Sequence, residues 1–147
     1  YIFFRQGYLD DAKTCATAST ILMQRPQDDA FISNAFDILS GIARSEGKLD
    51  EARELAAQAL DTAQETGLVG SIYAAYRAQA LIALLEGNYS EAERLFRSAL
   101  EGFERLGSRE RAAGRHIELG LVNLLQGRYN QARSQKLQKQ AMVHTFV

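Results

Sequence analysis

A six-residue block that begins with glycine and ends with alanine recurs four times in this chain at a constant spacing of 40 residues. The blocks run over residues 7–12, 47–52, 87–92 and 127–132, and they begin with Gly7, Gly47, Gly87 and Gly127. A fixed period of this length is typical of chains in which one supersecondary unit is stacked on the next. No other feature of the sequence constrains the fold as strongly.

The residue types at four positions of the block each suit a structural role at the corner between two helices. Glycine ends a helix at low cost, because the left-handed conformation there carries no Cβ penalty. The third column, Leu or Tyr, is suited to fill the corner between two helices, and the final alanine lets two helices approach closely. The fourth column holds good N-cap residues, so we expect a helix to begin at each of them: Asp10, Asp50, Ser90 and Asn130. The blocks therefore predict four hairpin corners.

Apolar residues recur at helical spacing between the corners. This pattern predicts helices over about 29–46, 70–86 and 109–126, and further helices that follow the corners and end near Gly67 and Gly107. The chain contains one proline, and Ala, Leu, Glu, Gln and Arg are frequent, which favours helix throughout. The predicted fold class is all-α.

Composition excludes several classes of protein. Lys plus Arg number 17 and Asp plus Glu number 18, for a net charge of −1, which argues against direct binding of nucleic acid or an anionic membrane. No apolar run is long enough to cross a bilayer. A single cysteine excludes an internal disulfide and fits a reducing compartment, and nothing at the N-terminus resembles a signal peptide, so we expect a cytoplasmic protein.

The columns of the repeat resemble those of the tetratricopeptide repeat family, which has small residues in both helices and Gly with Tyr or Leu at the turn. The resemblance covers residues 1 to about 133, and it implies a single domain over 1–147 that is a right-handed α–α superhelix. The unit here is longer than the standard 34 residues. Such long units resemble the tetratricopeptide-like domains of bacterial ATP-dependent transcription activators of the LuxR/MalT type, and the stretch from Ala92 to Gly107 reads much like them.

The two ends of the chain depart from the pattern. Residues 1–6 align with residues 81–86, the end of a helix, so we expect the chain to be a fragment of a longer protein. After Ala132, Lys136 and Lys139 stand where earlier repeats hold apolar or small residues. Residues 134–147 are therefore interpreted as a polar capping segment, with a basic helix for lipid or RNA as the alternative.

No motif for catalysis, metal binding or cofactor binding is present. The glycines are spread along the chain instead of clustered as in a phosphate-binding loop, and neither histidine has metal-ligand spacing around it. His116 shares a column with Phe36 and Tyr76, which indicates a packing role. Four arginines at 105, 109, 111 and 115 are interleaved with glutamates, which is typical of a solvated, salt-bridged surface. We expect neither an enzyme nor a cofactor.

The resemblance implies that the first helix of each pair lines a concave groove in which a peptide or helix docks. The Lys/Asn clamp of members that bind chaperone tails is absent here. Function is therefore predicted to be protein interaction within a bacterial regulator or scaffold, with self-association through exposed ends. The alternative is an effector-sensing domain of a transcription activator, with a small-molecule ligand. The candidate groove contacts are Asn34, Asp37, Arg44, Arg77, Leu81, Leu84, Ile117 and Leu121.

Overall fold

The computed structural model describes residue 7 and residues 10–18 and 29–145, with side chains described for 7, 10–18 and 35–143. These residues form helices joined by short turns, which confirms the all-α class, and none of them lies in a strand. No helix in this part of the chain combines the length and the apolar character needed to cross a bilayer. The helices are α1 (10–18), α2 (Asp29–Ser45), α3 (Leu49–Thr66), α4 (Val69–Leu85), α5 (Tyr89–Arg105) and α6 (Arg109–Thr145).

Helices α2 to α6 pack mainly against their neighbours in the chain. Helix α2 lies against α3 and α4 against α5, while α3 contacts α4 and α5 contacts α6. Helix α2 also contacts α4 directly, although α3 separates them in the chain. The first helices of the two hairpins therefore lie side by side and can build one face together.

Four helices end at the glycines where the sequence predicts their ends. Gly47, Gly67, Gly87 and Gly107 have φ between +69° and +77°, a range in which a side chain is strained. At each of these turns the following N–H bonds to the carbonyl five residues back, as Lys48 does to Ala43 and Asn88 to Ala83. This is the Schellman motif, which satisfies carbonyls that the helix end would otherwise leave unpaired.

The helices that follow two of these turns begin earlier than predicted. The N-caps of α3 and α5 are Lys48 and Asn88, two residues before Asp50 and Ser90. The left-handed glycine reverses the chain so tightly that one further residue suffices before helical hydrogen bonding starts. Asn88 also caps with its side chain, which accepts a bond of 3.4 Å from the N–H of Glu91. The predicted N-cap residues lie instead in the first turn of each helix.

Small residues allow the helices of each hairpin to approach closely. Ala52 and Ala92, which end two of the sequence blocks, are both fully buried. Ser40 is also fully buried, and its Oγ donates a bond of 2.8 Å to the carbonyl of Ala52, which ties α2 to α3. The larger core lies between α4, α5 and α6 and is built around Phe96, Phe103 and Val122.

The predicted corner at Gly127 is wrong, because α6 continues through it to Thr145. A hairpin corner is stabilised only when the second helix buries an apolar face. In α3 that face is built on Ala52, Ala56 and Ala59, whereas the residues 80 positions later are Ala132, Lys136 and Lys139. Burying two lysine side chains would cost more free energy than packing a second helix would contribute. The helix therefore continues through Gly127.

The polar segment is helical over its described part, but it does not act as a cap. Side chains 127–143 are all exposed, so they cover no core. The ring of Tyr129 still contacts that of Tyr89 at a centroid distance of 6.3 Å, which anchors the base of this projecting half of α6. At the first corner, Gly7 is itself helical, whereas Tyr8 and Leu9 lie outside the described residues.

Candidate functional site

Five charged residues from α2, α4 and α6 lie within electrostatic reach of one another, and we call them the charged cluster. Asp37 and Arg44 come from α2, Arg77 from α4, and Arg115 and Glu118 from α6. The contact between α2 and α4 positions the first three, and the packing of α6 on α5 positions the last two. Three of the five, Asp37, Arg44 and Arg77, are residues that the sequence predicted for the groove.

Glu118 is the centre of the ion pairs in the charged cluster. Its Oε1 accepts a bond of 2.9 Å from Nε of Arg77. Arg115 binds the same carboxylate with two nitrogens, Nε to Oε2 at 2.5 Å and Nη2 to Oε1 at 3.1 Å. A bidentate arginine fixes the orientation of a carboxylate as well as its position. Glu118 therefore holds α4 and α6 in a defined register.

Arg115 is buried, with only 8% of its surface exposed. Its guanidinium lies over the ring of Phe103, with Cζ 5.8 Å from the ring centroid, a geometry that favours a cation. Burial lowers the pKa of Arg115 and the hydrogen bond and charge of Glu118 oppose that shift. The interpretation of this residue as part of a solvated surface is wrong, because the α6 face that carries it packs on α5.

Sequence reasoning missed Arg115 and Glu118, although one signal was present. At the 40-residue offset Arg115 aligns with Ala35 and Ala75, and both alanines are buried. An arginine in a column of buried alanines needs a buried counter-ion, and Glu118 lies one helical turn away. Arg115 in a column of buried alanines therefore indicates the charged cluster, whereas the run of charged residues around Arg115 does not.

Asp37 and Arg44 form the side of the charged cluster in which burial disfavours the charged form of each residue. Burial raises the pKa of Asp37, while the charges of Arg77 and Arg44 act to lower it. Burial and the like charge of Arg77 lower the pKa of Arg44, while Asp37 and Glu118 act to raise it. Among the described residues, the Arg44 guanidinium has no hydrogen bond or ion pair within bonding distance. Within the described part of the chain, Arg44 is thus the one guanidinium of the charged cluster that carries no such bond.

The structure separates the predicted leucine-rich residues into two groups. Leu81 and Leu84 are partly buried and pack against the core between α4, α5 and α6. Ile117 and Leu121 are exposed, at 75% and 45% of their surface. The side chain of Asn34 lies outside the described residues. The predicted apolar groove contacts therefore differ in burial: those on α4 are partly covered, and those on α6 are exposed.

His116 does not pack as its column predicts. Its side chain is exposed, and Nε2 lies 3.6 Å from Oε1 of Glu104. Phe36 and Tyr76 in the same column are partly buried, and Tyr76 packs against the core that includes α5. Since α6 does not turn at Gly127, nothing in the described chain covers His116. In those residues no group of three or more His, Cys, Asp or Glu side chains could hold a metal ion.

A second surface feature lies between α3, α4 and α5. It is an open depression of about 360 Å³ whose lining combines one basic, two acidic, two amide and three apolar residues: Arg53, Glu86, Glu91, Gln79, Asn88, Ile82, Ala83 and Leu95. Arg53 pairs with Asp50 and with Glu86 at its edge. Its volume falls at the lower end of the range found for small-molecule sites.

Comparison of the chain with models of known protein families gives no match, and comparison with curated proteins gives none either.

Proposed function

We propose that this protein is a non-enzymatic protein-interaction domain that binds a peptide or a helix through the face formed by α2 and α4. The helix pairs are proposed to continue as a right-handed superhelix of the tetratricopeptide type, in which such a face is concave. The direct contact between α2 and α4 and the identical turns at Gly47 and Gly87 support this arrangement. The domain would act without a cofactor, in the cytoplasm of a bacterium, as part of a regulator or scaffold.

One observation carries the proposal: the charged cluster holds three guanidinium groups and only two carboxylates. Glu118 is occupied by Arg77 and Arg115, and the remaining carboxyl, on Asp37, is itself disfavoured as an anion by burial. Among the described residues, Arg44 is therefore partly desolvated without a hydrogen-bonded partner. A carboxylate brought by a ligand would complete the cluster, because charge-assisted bonds to arginine are strongest where water is partly excluded.

The nature of the partner follows from the surroundings of Arg44. An acidic side chain of a peptide would reach Arg44 and Arg77 together, since both arginines influence Asp37 and each other. Leu81 and Leu84 offer only part of their surface and would contribute secondary apolar contacts. We therefore propose a partner segment that carries an Asp or Glu beside small apolar residues.

The test is selection of a random-sequence peptide library on the protein, followed by fluorescence anisotropy of the enriched peptides. Arg44→Ala removes no ion pair between described residues. It should weaken binding about 10-fold or more, since hydrogen bonds to charged groups contribute about 1.5–3 kcal/mol. Arg94→Ala is the control, because Arg94 is exposed on α5 and pairs with Glu91. Enriched peptides without acidic residues, or equal binding by both variants, would contradict the proposal.

A second candidate function is effector sensing in a transcription activator, and the depression beside Arg53 favours it. A small anion bound to Arg53 would compete with Glu86 and so loosen the link between α3 and the end of α4. Thermal-shift measurements with a panel of small carboxylates and phosphates test it, because a ligand of the folded state raises the midpoint. A shift that is lost in Arg53→Ala and kept in Arg44→Ala would favour the sensor over peptide binding.

A further inference from the structure

The charge of this chain is concentrated in two helical segments of opposite sign. Residues 49–66, which form α3, hold five acidic side chains and one basic side chain, a net charge of −4. Residues 128–145, in the projecting half of α6, hold four Lys or Arg and no acidic side chain, a net charge of +4. The whole chain carries −1, so all other residues together carry only −1. Neither segment is balanced by its neighbours in the chain.

Three acidic side chains of α3 lie on its solvent side, and we call Glu54, Asp61 and Glu65 the acidic row. Their spacings of seven and four residues keep them within about 40° of one another around the helix. The buried alanines of α3 lie on the opposite side. All three acids are exposed, and in the described part of the chain none of them forms an ion pair. The only basic residue of α3, Arg53, is already paired with other carboxylates.

The projecting half of α6 carries a row of opposite charge, and we call Arg128, Lys136 and Lys139 the basic row. Their spacings of eight and three residues keep them within about 80° of one another around the helix. All three are exposed, and none forms an ion pair with a described residue. Arg133 is the fourth basic residue of this segment, and it lies about 100° around the helix from the middle of the row.

The two rows match in length and in order. Each spans 11 residues, which is roughly 16 Å of helix. When the helices are parallel, the ends of the rows coincide and the middle residues are offset by only about 1.5 Å. When one helix is reversed, the middle residues are offset by about 6 Å. The parallel pairs are Glu54 with Arg128, Asp61 with Lys136, and Glu65 with Lys139.

We propose that the basic row of one copy of this chain binds the acidic row of a second copy, with the two helices parallel. Two different surfaces meet, so each copy retains one row for a further copy, and association continues head to tail unless a ring closes. Exposed ion pairs contribute little each and are screened by salt, so the association is weak and salt-dependent.

The charge distribution of the chain favours a second copy over other anionic partners. The complementary row is present on every copy, whereas the acidic row repels nucleic acid and anionic membranes. Both rows lie outside the charged cluster, so the proposal does not rest on peptide binding by α2 and α4.

Sedimentation velocity of the full 147-residue chain at several protein concentrations tests the association. The weight-average mass should rise with protein concentration at about 10 mM salt, where the Debye length is about 30 Å. It should return to that of the monomer at about 1 M salt, where the Debye length is about 3 Å. A monomer at low salt would overturn the proposal, and so would association of equal strength at both salt concentrations, which would indicate an apolar interface.

Charge reversal tests the register. Lys136→Glu should raise the dissociation constant at low salt about 5-fold or more, because it replaces an attraction with a repulsion. Arg133→Glu is the matched control, since it makes the same charge change on the same helix outside the row, and it should have little effect. Circular dichroism of each variant checks that the helices are retained.

A second reversal tests the pairing itself. Lys136→Glu combined with Asp61→Lys keeps the net charge of the wild type and should restore association. Arg133→Glu combined with Asp61→Lys has the same net charge and should not. Equal effects of the two single variants on α6, or failure of the first combination to restore association, would overturn the proposal. Lys136-dependent binding of an anionic vesicle or an oligonucleotide by chains that stay monomeric would also overturn it and assign the basic row to that ligand.

Discussion

The ring of Tyr73 on α4 packs directly on the backbone of Gly102 in α5. A Cβ built on Gly102 would lie 2.2 Å from Cζ of Tyr73 and 2.3 Å from both ring carbons beside it. The same ring meets Phe103 edge-on, with centroids 5.8 Å apart. Tyr73 thus occupies the space that any side chain at position 102 would need. Glycine is required at this position because of that contact and not because of a left-handed backbone conformation.

The first prediction concerns Gly102→Ala. In an exposed helix interior this change stabilises by about 1 kcal/mol, but here the ring must move and the packing on Phe103 must loosen, at a cost of about 1–3 kcal/mol. We therefore expect lower stability in urea denaturation. Gly120→Ala is the matched control and should be stabilising, since its Cβ meets nothing. In a Tyr73→Ala background the sign for Gly102→Ala should reverse, and a loss that persists there would contradict the explanation.

The second prediction uses Gly127 to distinguish a continuous helix from a hairpin corner. If α6 runs through Gly127, Gly127→Ala should stabilise by about 1 kcal/mol. If a left-handed turn formed there in solution, the same change would destabilise by about as much. Gly47→Ala is the reference, because Gly47 has φ +77° and must lose stability on substitution. Thermal unfolding of the two variants and the wild type distinguishes the two cases: a higher midpoint for Gly127→Ala indicates a continuous helix, and a lower midpoint indicates a turn.

The third prediction concerns the ion pairs of Glu118. Glu118→Ala leaves Arg115 buried without a counter-ion, and loss of one partner of a buried pair costs about 3 kcal/mol. We expect a large drop in the free energy of unfolding measured in urea. Glu91→Ala removes a pair of similar geometry with Arg94 that is exposed to water, and it should change stability far less. Similar losses for the two variants would show that Arg115 is hydrated in solution.

The fourth prediction is a pH dependence that arises from Asp37. Burial raises its pKa in the folded state, so the folded protein binds a proton more readily than the unfolded chain. Stability must then fall as pH rises from the unfolded pKa through the folded one, and the loss stays complete above it. Asp37→Asn should therefore be more stable than wild type at pH 7, and the difference should shrink as pH falls through the pKa of Asp37. A difference that is constant with pH would contradict this assignment.

Helix ends were predictable because they depend on local chemistry. Gly47, Gly67, Gly87 and Gly107 end helices where the sequence indicates, since only glycine adopts the left-handed turn without strain. The small residues were predictable for a similar reason: Ala52 and Ala92 recur in one column and are both buried. The exact N-caps of α3 and α5 were not predictable. The tight turn at the preceding glycine decides where helical hydrogen bonding resumes, and the residue best suited to capping does not.

Three of the charges at the candidate site were predictable only in part. Asp37, Arg44 and Arg77 follow from the columns of the repeat, but whether they meet a buried counter-ion depends on how α6 packs against α4 and α5. Arg115 and Glu118 come from α6 and reach Arg77 only through that packing. Arg77 and Glu118 are 41 residues apart in the chain, and the only local sign of their pairing is Arg115 in a column of alanines.

Local chemistry alone predicts that this chain is helical, that α2 to α5 end at glycines with a fixed spacing, and that alanines line the close contacts. These outcomes follow from backbone conformation and side-chain size, which each residue carries with it. Packing between helices decides instead that α6 passes straight through Gly127, that Arg115 is buried against Phe103, and that Ile117 and Leu121 are exposed. The block at Gly127 follows the same pattern as the blocks at the corners that turn. Lys136 and Lys139, however, leave the segment after it without the apolar face that α3 buries, and burial depends on the partner surface as much as on the residue.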